Sequence, residues 1–246
     1  MGSETPETAW IAYCGLPPEP GGAAWNADAW LGAALIAGLA LVWRGSADRR
    51  SLLAGWALLG VALLSPLCSL SVALFSARVG QHLIILLVAA PLLAAGLSGL
   101  RRPAAPAAIV AAAALFAVLL WAWHLPGPYT ATFRSDLIYW AMHLSLLGAA
   151  IWLWRGLLLA AETRPEVVLP VGLGTAMQMS ALGGFLTFAP RPLFPPHALT
   201  TLPWGLTPLE DQQLGGLLMW VPGGLAFAGV ALGALVLAMR RGRFAA

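Results

Sequence analysis

Four histidines, His82, His124, His143 and His197, stand at or near the edges of long apolar stretches in this 246-residue chain. Imidazole buried in hydrocarbon without a partner is costly, so a histidine inside a membrane-length apolar run is a candidate for ligand chemistry before packing. His197 lies in a proline-rich loop and suits a bond to a loop carbonyl, while His124, at a helix end, suits either role. His82 and His143 sit at similar depth in two different apolar runs, and a shared ligand is the sharper reading for them. A second constellation opens the last apolar run, where Asp211 and Gln212 precede Met219. Gln212 and Met219 are seven residues apart and share a helical face with Gly216 and Gly223. That stripe reads either as a small-residue packing seam with Asp211 as a helix cap, or as a thioether beneath a carboxylate and amides. Cys68, close to Pro66, adds sulfur in the second run. Cys14, the other cysteine, allows a Cys14–Cys68 disulfide in an oxidising compartment, and a buried free cysteine serving as a small hydrophobe is the plain alternative.

Imidazole with thioether, and with thiolate, selects copper over magnesium or calcium, and zinc is less favoured by methionine. The candidate metal set is therefore His82, His143, Met219, His124, Asp211, Gln212 and Cys68. Met177 and Met179 lie two residues apart, on nearly opposite faces of one helix, so at most one points inward. No acidic pair, Ser–His arrangement or phosphate-binding glycine loop has persuasive placement, which points to a binding protein rather than an enzyme.

The elements that must position these groups are membrane helices. Sixty per cent of the residues are hydrophobic and nine per cent charged, and the mean hydropathy is +0.81, far from the balance of a soluble domain. Apolar runs at 29–43, 51–72, 80–100, 104–123, 137–154, 167–188 and 214–239 predict an all-α integral membrane bundle of about seven transmembrane helices. The first run is the shortest. Residues 1–28 read as an exported tail, 29–239 as the transmembrane domain with a proline-rich outer loop at 189–210 that caps the bundle, and 240–246 as a basic cytoplasmic tail. The acidic start has no positive region followed by an apolar run and does not read as a cleavable signal.

Orientation follows from arginine, since the chain has no lysine. Arg44, Arg49, Arg50, Arg101, Arg102, Arg155, Arg164, Arg240, Arg241 and Arg243 fall on one side of the predicted spans, and only Arg78, Arg134 and Arg191 on the other. The positive-inside rule then places the N-terminus outside and the C-terminus in the cytoplasm. All four histidines fall in the outer layer, together with Glu4, Glu7, Glu19, Asp28, Asp136, Glu210 and Asp211. The basic residues form short clusters beside the spans with no continuous basic face, which argues against nucleic acid as a partner.

Three stretches carry a resemblance to a known family. Gln81-His82-Leu83 with Ala89-Ala90-Pro91-Leu92-Leu93, then Trp123-His124-Leu125-Pro126 with Tyr129 and His143, and finally Asp211-Gln212-Gln213-Leu214-Gly215-Gly216 with Met219-Trp220, resemble the multi-span CtaG family of cytochrome c oxidase assembly factors. The resemblance implies a multi-pass protein of the bacterial inner (plasma) membrane that helps to mature haem–copper oxidase by supplying or retaining copper. It implies oxidase subunits and the lipid bilayer as partners, with a periplasmic copper donor upstream. The chain departs from the family pattern at Arg78-Val79, where the family has His-Met; two potential ligands are absent and a permanent cation stands in their place. An accessory subunit of the oxidase, a membrane electron carrier with His82 and His143 on one haem, and a transporter with spans broken at Pro91, Pro170 and Pro222 stay open as alternatives.

Overall fold

The computed structural model describes residues 11–97 and 104–240. Arg101, Arg102, Arg241, Arg243, Glu4, Glu7 and most of the basic C-terminal tail lie outside the described residues. Helix starts follow local chemistry. Asp28 accepts from the Trp30 and Leu31 amides to cap α1 (Ala29–Trp43), and Asp48 accepts from those of Arg50 and Ser51 to cap α2 (Arg49–Leu64). Ser65 caps α3 (Pro66–Ala73), with Pro66 at its first position. Each cap supplies an acceptor to amides that have no partner within the helix. Then come α4 (Phe75–Gly96), α5 (Pro106–Trp123), the short α6 (Pro126–Ala131), α7 (Asp136–Ala160), α8 (Pro165–Thr187) and α9 (Pro208–Arg240). A capping box between Thr207 and Glu210 opens α9, each side chain bonding the other's backbone amide.

Five helices, α4, α5, α7, α8 and α9, are long and apolar enough to cross a membrane, and α2 with α3 makes a sixth if that pair, bent by 50° at Ser65, counts as one span. The seventh expected span falls short. α1 has 15 residues, roughly 22 Å of helix against a hydrocarbon core of roughly 30 Å. It packs on α2 alone, through Trp56, whose indole N–H donates to the Leu35 carbonyl at 2.8 Å.

α4 is the hub. It packs on α2, α3, α7 and α9, while α5 and α8 complete the bundle against α7 and α9. More than half of its apolar window is buried (56%), against 22–44% for the other four spans. Two prolines shape the central helices. Pro91 follows a π-helical stretch at Ile84–Ala89, and Pro222 lies within another at Met219–Gly223; a wider turn relieves the clash of the ring with the preceding turn and leaves carbonyls free. One is claimed by the Trp154 indole, which donates to the Leu86 carbonyl at 2.7 Å.

The seam between α8 and α9 is built of small residues. A methyl group on Gly183 would lie 2.7 Å from the Gly216 carbonyl oxygen and 2.7 Å from the Trp220 nitrogen, so the backbones touch, as small-residue membrane seams allow. Gly183→Ala should push the helices apart and destabilise the protein by about 1–3 kcal/mol, read from the denaturation midpoint in mixed micelles; an unchanged midpoint would show that the seam yields freely.

Candidate functional site

Arg78, Gln81 and His82 occupy one stripe of α4 by helical spacing, and all three are buried. The Arg78 guanidinium lies 4.4 Å from the centroid of Phe133, 4.9 Å from that of Tyr129 and 5.8 Å from that of Tyr139. It donates to the Thr132 hydroxyl at 2.7 Å and approaches the Met142 sulfur at 4.0 Å. Negative ring faces replace part of the lost hydration, each worth up to about 2 kcal/mol when desolvated. This box went unread in the sequence. Its signal was present: Tyr129, Thr132 and Phe133 are spaced as one helical face, and so are Tyr139, Met142 and His143.

Three of the expected histidines meet. The His82 ring centroid lies 5.2 Å from that of His143 on α7 and 6.2 Å from that of His124 at the end of α5. His143 Nδ1 is 3.1 Å from the Tyr139 carbonyl and His124 Nδ1 is 2.7 Å from the Leu120 carbonyl. A carbonyl only accepts, so Nδ1 carries the proton in both rings, and a neutral imidazole keeps its lone pair at Nε2. This is the tautomer that a metal-binding histidine uses when its second nitrogen is held by a carbonyl. His143 Nε2 is buried without a partner, as are both ring nitrogens of His82, Gln81 Oε1 and Arg78 Nε. Among the described residues no three His, Cys, Asp or Glu side chains are placed to share one metal ion.

The remaining candidates have structural partners. Asp211 accepts from the Phe75 amide at 2.6 Å, the Ser76 amide at 3.1 Å and the Ser76 hydroxyl. It therefore caps the first turn of α4 from across the bundle, where the residue at the cap position is Leu74 and offers no side-chain acceptor. Gln212 accepts from the Leu193 amide at 2.6 Å and donates to the Leu186 carbonyl at 3.2 Å, tying the proline-rich loop to α8. Gly215 abuts Phe75 of α4, and Gly223 abuts Met179 of α8 and Leu83 of α4. Met219, buried between them in sequence, belongs to the row of α9 that continues from Asp211 and Gly215. That row meets α4 along its 75–79–83 stripe, one face round from His82. The π-turn that begins at Met219 also breaks the seven-residue stripe read from the sequence, and Gly216 turns instead to Gly183 and Thr187 of α8.

Cys68 is bonded to Cys14, and a sulfur in that bond offers no thiolate. The expected loop cap is present. Phe194 stacks on Phe75 at 4.4 Å, and the Thr200 hydroxyl donates to the Ala73 carbonyl at 2.6 Å. His197 Nδ1 lies 3.2 Å from the same carbonyl and Nε2 lies 2.7 Å from the Tyr129 hydroxyl, so Nδ1–H donates and Nε2 accepts from the phenol. His197 is thus a keystone of the loop. Burial, and next the charge of Arg78, push its pKa down to about 3 against the pull of the Ala73 carbonyl.

This arrangement defines a class, a multi-pass helical membrane protein with a buried histidine cluster under a folded cap. The family follows from comparison with known proteins. A model of the cytochrome c oxidase caa3 assembly factor family, Caa3_CtaG, matches residues 40–241, and the chain belongs to that family. No curated protein and no solved structure matches it.

Asp211→Ala should leave two amides at the start of α4 without an acceptor and cost about 1–3 kcal/mol, and Asp211→Asn, which keeps one oxygen, should cost less; chemical denaturation in micelles reads both. For His197 the folded form binds its proton less readily than the unfolded chain, whose value is near 6.5. Cap stability is therefore complete above about pH 6.5 and declines as pH falls from there toward the folded value. Hydrogen exchange across 193–204, corrected for intrinsic rates, should quicken as pH falls through that window, and His197→Phe should abolish the dependence.

Proposed function

We propose that this protein is an oxidase assembly factor of the bacterial plasma membrane that holds copper at the outer face and passes it to a haem–copper oxidase subunit. The reading is supported most by one observation: His143 presents a buried Nε2 lone pair fixed by its Nδ1 bond, facing the ring layer of His82, whose two nitrogens are both without partners. Cu(I) is the ion of choice. Neutral imidazoles suit it, it accepts as few as two donors, and its single charge is repelled less by Arg78 than a divalent ion would be. His124, tied in the same tautomer, is the natural third donor. The arginines support the outer placement of this layer, because Arg44, Arg49, Arg50, Arg155, Arg164 and Arg240 stand at the opposite end of the bundle and the positive-inside rule makes that end cytoplasmic.

Arg78 favours a second reading, an accessory subunit that keeps the scaffold and associates permanently with the oxidase. Co-purification at fixed stoichiometry with mature oxidase would favour it over transient contact during assembly. For the copper reading, oxidised protein is loaded with Cu(I) against a bathocuproine competitor. Wild type should retain Cu(I), and His82→Phe and His143→Phe should each weaken retention by about tenfold or more, the scale of losing one soft donor. Equal retention in wild type and both variants, or none above background, sinks the metal assignment.

A further inference from the structure

The disulfide joins two sulfurs in unequal surroundings. Cys68, on α3, is fully buried (0% exposed). Cys14 is half-buried and lines an open surface cavity of about 480 Å³ with Gly15, Pro17, Pro18, Asn26 and Ser69. A thiolate coming from outside therefore meets Cys14 first. Cys68 then becomes the leaving group, and two donors stand by its sulfur: Asn26 Nδ2 at 3.7 Å and the Tyr139 hydroxyl at 3.8 Å. Hydrogen bonds to a leaving thiolate lower its basicity and speed its departure. A disulfide that served only as a staple has no need of an open approach to one sulfur and donors on the other.

The pair is also wired to the histidine layer. The Tyr139 hydroxyl is 3.4 Å from Cys14 Sγ, and the Tyr139 ring lies 4.2 Å from that of His143. Tyr13, next to Cys14, stacks on the other side of Tyr139 at 4.8 Å and donates to Asp28. The tail thus covers the approach to His143. Further along, the tail is held without the disulfide: Ala24 exchanges hydrogen bonds with Ser69, Asn26 donates to Leu64, and the Trp204 indole donates to the Pro18 carbonyl. Opening the disulfide would free only the part before Pro18.

We propose that Cys14 and Cys68 are a redox-interconverting pair which, as a disulfide, clamps the tail over His143 and, once opened by an external dithiol, binds Cu(I) through two thiolates. One thiolate of the dithiol attacks Cys14 Sγ; the Cys14–Cys68 bond breaks and Cys68 leaves as thiolate. The second thiol of the donor, deprotonated, attacks the mixed disulfide and releases Cys14, and the donor departs as its own disulfide. Two electrons pass to the pair, and the two protons of the donor go to the cysteines or, when Cu(I) occupies them, to solvent. The choice of Cu(I) rests on the copper reading above, although thiolates prefer a soft monovalent ion in their own right.

The test uses the full-length protein in lipid nanodiscs. With Cys68→Ser and Cys14→Ser made singly, a membrane-impermeant maleimide should label Cys14 in the first at least about tenfold faster than Cys68 in the second, as exposure of a thiol governs its reaction. Equal or reversed rates overturn the direction of attack. Dithiothreitol should open the bond in the folded protein, and reduction only in denaturant overturns the exchange. Reduced wild type, competed against bathocuproine for Cu(I), should hold an additional ion per chain relative to oxidised protein, and the Cys14→Ser/Cys68→Ser double variant should not. The additional ion should persist when His82→Phe and His143→Phe are combined. Its loss there, or equal loading of oxidised and reduced wild type, overturns the thiolate site, whereas failure of oxidised protein to bind copper removes only the histidine site.

Discussion

A guanidinium cannot stay inside an apolar bundle unless something replaces its hydration, and the histidine end of this protein is arranged around that requirement. Arg78 is 2% exposed, and desolvating a charge without compensation costs several kcal/mol. Compensation comes from three ring faces, a hydroxyl and a thioether. Those groups belong to α6, α7 and the turn between them, so the fixed position of one side chain on α4 sets where three neighbouring segments must stand. The same rings bring His143, one turn from Tyr139, against His82, and bring Tyr129 under His197. Histidine cluster and loop cap are two consequences of housing one cation.

The second constraint is that backbone groups in this interior have no water to turn to. The chain satisfies several of them through side chains far away in sequence. Asp211 caps α4 from α9, Trp154 bonds a carbonyl freed by the π-helical stretch of α4, and Gln212 and His197 bind the loop to α8 and α3. Polar residues that stand out in an apolar sequence are therefore of two kinds here. Those with every bonding atom engaged, such as Asp211, hold the fold. Those with a lone pair or N–H left over, His82 and His143 Nε2, are available for a ligand.

The histidines were legible as a layer because depth along a helix can be counted from the sequence. Their convergence could not be counted, since it depends on which helices are neighbours and how each is rotated. Met219 illustrates the difference. Seven-residue spacing placed it on a stripe with Gln212, yet a π-turn forced by Pro222 shifts the register from Met219 onward, and packing sends the 211–215–219 row to a face of α4 beside the one that carries His82. The first span is a further case. Its apolar run has a clear Asp28 cap but only 15 residues, so composition marks it as membrane-seeking while length leaves it short of a full crossing.

By itself the sequence determined the solvent of this protein, the starts of most helices, the sorting of arginine to one end and histidine to the other, and the family through residues that recur at fixed spacing. All of these are local or additive properties: hydropathy sums along a run, caps act within a turn, and charge counts along loops. The tertiary structure alone decided that Arg78 sits in an aromatic box, that Asp211 serves α4 and not its own helix, that Cys14 reaches Cys68, and that His82, His124 and His143 meet while Met219 packs along the neighbouring face. Each of these joins residues from different helices, and helix order and rotation come from packing side chains against one another, a many-body fit that no stretch of sequence carries alone.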